Sequence, residues 1–99
     1  MMNTFVLLTI IADTSLQSVI EQDISALGAK GYTTSPVEGK GKSGVRNDIW
    51  SGENVKIETI VSKIVLPLIL ETLRLKYFDR YPVIAYYHSV AVMRTDHFS

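Results

Sequence analysis

The chain has 99 residues, 46% of them apolar, with ten lysines and arginines against ten aspartates and glutamates. That suffices for one small core but not for two domains, and balanced charge supplies no overall field to draw the chain onto nucleic acid or an anionic membrane. With no cysteine, disulfides, thiolate metal sites and a thiol nucleophile are excluded. The apolar N-terminal run lacks a basic start and a small-residue cleavage site, so no signal peptide is expected. The other apolar run, residues 64–70, falls well short of the ~20 residues that span a bilayer. A cytosolic domain is the expectation.

Residues 4–12 (TFVLLTIIA) are rich in β-branched and aromatic side chains and end at Asp13, which predicts a buried strand. Thr14 and Gln17 have the spacing of a capping box, and Leu16, Val19, Ile20, Ile24 and Leu27 fall on one face of the helix that would follow. Gly28 is its stop signal. Residues 31–36 (GYTTSP) predict a short strand, and residues 37–53 are polar and aperiodic. In residues 54–62 (NVKIETIVS), Lys56 and Glu58 alternate with Val55, Ile57 and Thr59, the pattern of a half-exposed strand. A second helix is predicted over residues 65–78, with Leu66, Ile69, Leu70, Leu73 and Tyr77 on its apolar face and Pro67 in its first turn. Residues 83–94 (VIAYYHSVAVMR) predict a last strand.

The order β-α-β, long loop, β-α-β is that of an α+β, ferredoxin-like βαββαβ sandwich, one antiparallel sheet with both helices on one face. In such a fold the other face of the sheet should be polar. Here Phe5, Leu7, Thr9 and Ile11 alternate with Val6, Leu8, Ile10 and Ala12, and Ile84, Tyr86, His88, Val90 and Val92 alternate with Val83, Ala85, Tyr87, Ala91 and Met93. Both faces are apolar, and the residues left over cannot form another layer. The pattern therefore predicts a homo-oligomer, in which a second copy covers the open face.

The long loop contains GKGKSG, residues 39–44, which meets the G-x-G-x-x-G spacing and brushes against the Gly-Lys-Ser ending of a P-loop. A dinucleotide fingerprint needs a helix after its last glycine, and Val45 onwards has no helical period. A P-loop needs a glycine at position 36, which is proline. Two readings remain. One is an ordinary surface loop; the other is an anion site in which Gly39, Gly41, Gly44 and Gly52 let backbone approach phosphate while Lys40, Lys42 and Arg46 supply charge.

GAKGYT (residues 28–33), GKG (39–41), Val45-Arg46, NVKIE before the second helix and KYFDRY (76–81) after it resemble the PII-like signalling proteins, closest to their carbon-responsive, SbtB-like branch. The resemblance spans nearly the whole chain. It implies a single domain over residues 1–99, assembled as a homotrimer, that binds AMP, ADP, ATP or cyclic AMP in clefts between subunits. Residues 37–53 would be the T-loop that engages a partner. By the same resemblance Gly39, Lys40, Gly41 and Arg46 face the phosphates, with Lys42 beside the position where the branch tends to carry an arginine and this chain has Ser43. Thr33 from one subunit and Val83 and Ile84 from another would line the adenine side. The implied partner is a membrane transporter for inorganic carbon or another cytosolic target, which would recruit the protein to the membrane, and Ile49 and Trp50 are the candidate contacts. The cysteine-bearing C-terminal extension of some members has no counterpart, so redox control through it is not expected. The modifiable T-loop tyrosine and glycine-rich B-loop of nitrogen-sensing PII proteins are not visible, which speaks against uridylylation and 2-oxoglutarate sensing.

No serine, histidine and carboxylate set stands out, so no catalytic residue is assigned and no enzyme is expected. His88 and His97 have no third ligand at a metal-binding spacing, and no metal is expected. Trp50 is open between a loose surface aromatic and an anchor for a partner pocket, and Glu58 between a solvated or interface carboxylate and a ligand contact. The alternatives on the same scaffold are a metal-binding protein of the CutA type and a small-molecule enzyme.

Overall fold

The structure, a computed structural model, describes residues 3–38 and 53–94. Strand β1 (Asn3–Asp13) leads through a 3-10 turn (Thr14–Leu16) into helix α1 (Gln17–Leu27), followed by β2 (Thr33–Val37). After the loop come β3 (Asn54–Val61), α2 (Val65–Leu73) with a terminal π-turn (Arg74–Phe78), and β4 (Ile84–Val92). The sheet order is β2-β3-β1-β4 and every pairing is antiparallel. This is the ferredoxin-like arrangement that the element order predicts.

The pairing register sorts the side chains onto two faces. Val6, Leu8, Ile10 and Ala12 of β1 lie opposite Val61, Thr59, Ile57 and Val55 of β3 and pack against the helices. This core also takes Leu16 from the 3-10 turn, Ile20 and Ile24 from α1, Leu66, Ile69 and Leu73 from α2, and Tyr77 from the π-turn. The large aliphatic residues Leu8, Ile10, Ile20, Ile24, Ile57 and Ile69 have no exposed surface. Burying each is worth about 1.5–3 kcal/mol over leaving it in water. On the other face Phe5, Leu7, Thr9 and Ile11 of β1 lie between Ile60, Glu58 and Lys56 of β3 and Val90, His88, Tyr86 and Ile84 of β4. Phe5, Thr9 and Ile11 are buried, whereas Tyr86 is 49% exposed. The predicted apolar second face is therefore present, and no element among the described residues lies over it.

The entry to α1 departs from the capping-box expectation. Strand β1 runs one residue further, through Asp13, so Asp13 and not Thr14 supplies the cap, that of the 3-10 turn, accepting a hydrogen bond from Ser15 N at 2.8 Å, and α1 itself starts after Leu16 with no side-chain cap. Gln17 reaches forward along the helix, donating to Glu21 Oε2 at 2.9 Å. Val19 is 42% exposed, outside the buried face to which its spacing assigned it. The stop at Gly28 is as expected: its φ is +123°, and Gly28 N and Ala29 N donate to Ser25 O and Ile24 O. A Cβ there would lie 3.0 Å from Val65 Cγ2, so the glycine also permits the end of α1 to meet the start of α2.

Candidate functional site

Three strand-spacings separate the edge strands β2 and β4. At ~4.8 Å per spacing, side chains on the two edges stand about 14 Å apart. Thr33 is on β2, while Val83 and Ile84 are at the start of β4, so one chain does not bring these three predicted residues together. Thr33 lines one hollow, and Val83 and Ile84 follow directly in sequence on the residues that line another.

The first hollow, of about 430 Å³, opens on the uncovered face of the sheet and is lined by Leu7, Gly31, Tyr32, Thr33, Glu58, Thr59 and Ile60. Its floor is apolar because Leu7 and Ile60 are register partners on that face. Its polar groups come from the next row, where Thr33 pairs with Glu58. Glu58 has Lys56 Nζ at 3.9 Å, a loose contact between side chains each 34% exposed, and so keeps acceptor capacity. The approach to β2 is pinned at two points. Thr59 Oγ1 donates to Gly31 O at 2.6 Å, and the Tyr32 hydroxyl donates to Glu21 Oε1 at 3.3 Å. Burial, then the charge of Glu21, holds the Tyr32 phenol above its ordinary pKa.

A second hollow, about 290 Å³, is lined by Phe78, Asp79, Arg80, Tyr81 and Pro82, just ahead of Val83 and Ile84. Val83 packs against the core and Ile84 pairs with Ile11 on the open face. Among the described residues Arg80 forms no ion pair. A third hollow, about 460 Å³, lies at the base of the long loop between Thr14, Pro36, Val37, Glu38, Glu53 and Asn54, where Thr14 N donates to Glu53 O at 3.0 Å. The rest of the predicted phosphate and partner set, Gly39, Lys40, Gly41, Lys42, Arg46, Ile49 and Trp50, lies outside the described residues.

Sequence reasoning left Glu58 open and missed Leu7, Ile60 and Arg80. Leu7 and Ile60 are apolar residues in strands and carry no local mark of a site; only the register puts them in one wall. Arg80 is one charge in a turn. The exposed His88 has a ring nitrogen 3.3 Å from Ser89 O, and His97 lies outside the described residues. Among the described residues no group of three His, Cys, Asp or Glu could hold a metal ion, and no helix is long and apolar enough to cross a membrane.

The family model for nitrogen regulatory protein P-II matches residues 5–97. Among solved structures, a PII-like signalling protein of Thermus thermophilus is 40% identical, with a TM-score of 0.85 over 99% of this chain and 98% of that one. CPII of Thiomonas intermedia K12, bound to ADP, AMP and acetate, is 19% identical, with a TM-score of 0.86 over 99% of this chain and 97% of its own. The GlnK–ATP complex of B. subtilis is 21% identical, with a TM-score of 0.66 over 88% and 84% of the two chains. At those identities the last two share the fold. No curated protein sequence matches the chain.

Proposed function

The chain belongs to the nitrogen regulatory protein P-II family, and we propose that it is a trimeric, non-enzymatic signalling protein that binds an adenine nucleotide between subunits and regulates a partner through residues 37–53. The observation that carries this reading is the division of the lining residues between opposite edges of one sheet. Thr33 borders a hollow on an uncovered apolar face, and Val83 and Ile84 lie about 14 Å away. An adenine ring is too short to touch both sets within one chain and meets them together only where two copies adjoin, and pairing copies through that face covers its apolar residues. Glu58 and Thr33 then offer an acceptor and a hydroxyl at the cleft wall. Lys40, Lys42 and Arg46, in the loop that leaves β2 four residues after Thr33, supply phosphate contacts along with the backbone of Gly39 and Gly41.

The nucleotide class is supported by structural relatives described as bound to ADP and AMP or to ATP. One is described as bound to ADP and bicarbonate, which favours the carbon-responsive, SbtB-like branch and a transporter of inorganic carbon as the regulated partner. The setting is the cytoplasm, with recruitment to the membrane through that partner. Residues 1–99 act as one domain whose T-loop carries the output, and Ile49 and Trp50 make the partner contact.

Calorimetric titration with AMP, ADP, ATP and cyclic AMP tests the reading. Saturable binding of at least one is expected, weakened by roughly 1.5–3 kcal/mol in Lys40→Ala or Arg46→Ala, the scale of a charge-assisted hydrogen bond. Absence of binding by all four would refute nucleotide sensing. Unchanged affinity in both variants would move the phosphate site away from the loop.

A further inference from the structure

Between the π-turn and β4, residues 79–83 have no sheet partner; residues 79–82, with Phe78, line the hollow just ahead of Val83 and Ile84. They hang from one residue. Tyr77 accepts with its carbonyl from Arg80 N at 3.0 Å and from Tyr81 N at 2.8 Å, and Tyr81 O in turn accepts from Val83 N at 2.9 Å. The Tyr81 ring leans on the Tyr77 ring, with centroids 6.3 Å apart at 49°. Tyr77 is itself buried in the core, only 5% exposed, and its hydroxyl emerges against α1, donating to Asp23 Oδ2 at 2.5 Å. Lys76 Nζ donates to both oxygens of the same carboxylate, at 2.8 and 2.9 Å, and lies 5.6 Å from the Tyr77 ring centroid. Helix α1 therefore holds the polar end of the residue from which the segment is suspended.

We propose that Asp23 and Tyr77 are positioning residues for the nucleotide cleft, with the hydrogen bond from Tyr77 to Asp23 fixing the segment 79–83 and through it Val83 and Ile84. This rests on the proposed nucleotide site and adds to it a control point on α1, on the far side of the sheet from the open face. The hydroxyl adds little to packing, since phenylalanine would fill the same ring space; its contribution is directional. The π-turn fits such a role, because wide turns of this kind are rare and recur at functional sites.

The test uses the assembled protein and the variants Tyr77→Phe and Asp23→Asn, with Ile20→Val as a core-weakening control remote from the segment. ADP and ATP are titrated calorimetrically well below the melting temperature, and amide hydrogen exchange is followed without ligand. Both variants should bind the nucleotide about three- to tenfold more weakly, the range of one lost hydrogen bond. The Arg80, Tyr81 and Val83 amides should exchange faster, while Ile20→Val changes neither reading. If Tyr77→Phe and Asp23→Asn lower the melting temperature but leave affinity and those amides as in the wild type, the pair is only a staple between helices and the proposal is overturned. If the wild type binds neither nucleotide, the underlying site reading has failed instead, and the proposal falls with it.

Discussion

Burial, and then the hydrogen bond to Asp23, raise the pKa of the Tyr77 phenol above its ordinary value of about 10. Above that pH the unfolded chain releases this proton while the folded chain retains it, so folding is coupled to proton binding and stability falls as pH rises. The contribution is complete below pH 10 and declines above it. Urea midpoints measured from about pH 8 to 11 should show this alkaline decline in the wild type and a shallower one in Tyr77→Phe. Asp13 behaves oppositely. Hydrogen bonds from Ser15 hold its carboxyl below the ordinary aspartate value, so its contribution exists at neutral pH and is lost as acid protonates it. Replacing this cap, as in Asp13→Ala, should cost about 0.5–2 kcal/mol near neutral pH, with the loss shrinking towards about pH 3. The site is equally local in its polar members. Thr33 and Glu58 are adjacent because the β2–β3 register pairs them, and a one-residue slip of β2 would turn Thr33 onto the core face while β1 keeps Glu58 where it is.

At the level of elements, the two helices are joined to the sheet by complementary apolar faces and to each other at their ends. The contact of Gly28 with Val65 is a tight junction, since the glycine combines a positive φ with a neighbour at 3.0 Å from where a Cβ would stand. Gly28→Ala should destabilise by about 1–3 kcal/mol through backbone strain alone, read as a lower denaturant midpoint with an unchanged slope. The element that carries output in the proposed function is the loop between β2 and β3. Deleting residues 47–51, which removes Ile49 and Trp50, should abolish partner capture from native cell extract and leave assembly and nucleotide affinity nearly intact. Equal recovery of the same partner by the deletion variant would place the contact on another surface.

For the whole molecule, the open apolar face sets the assembly. Val90 lies on it opposite Phe5, half-buried within one chain, and would be enclosed between copies. Val90→Asp should dissociate or unfold the protein, because an unpaired buried charge costs several kcal/mol, on the order of the net stability of a small domain. Sedimentation equilibrium at micromolar concentration is expected to give a trimer for the wild type. A stable wild-type monomer would remove the reason for placing the ligand between subunits.

By itself the sequence determined the order of elements, the core and the two-faced sheet, since these follow from local period. Ile20, Ile24 and Ile69 could be assigned to the core from spacing alone, whereas β1 is apolar on both faces and its spacing does not say that Leu8 and Ile10 face the helices. It also carried the family resemblance, through GAKGYT, GKG and KYFDRY. The cap at Asp13, the exposure of Val19 and the π-turn after Leu73 were not legible. The cap and the π-turn depend on where a strand or helix stops, and Val19 on which face of α1 is turned to the sheet; neighbours in space decide both. Only the tertiary structure put Leu7, Thr33, Glu58 and Ile60 in one wall, set Val83 and Ile84 on the opposite edge, and brought Asp23 to Tyr77 from 54 residues away. Such contacts depend on strand order and register, which no short stretch of the chain encodes because each strand's partner lies elsewhere in the sequence.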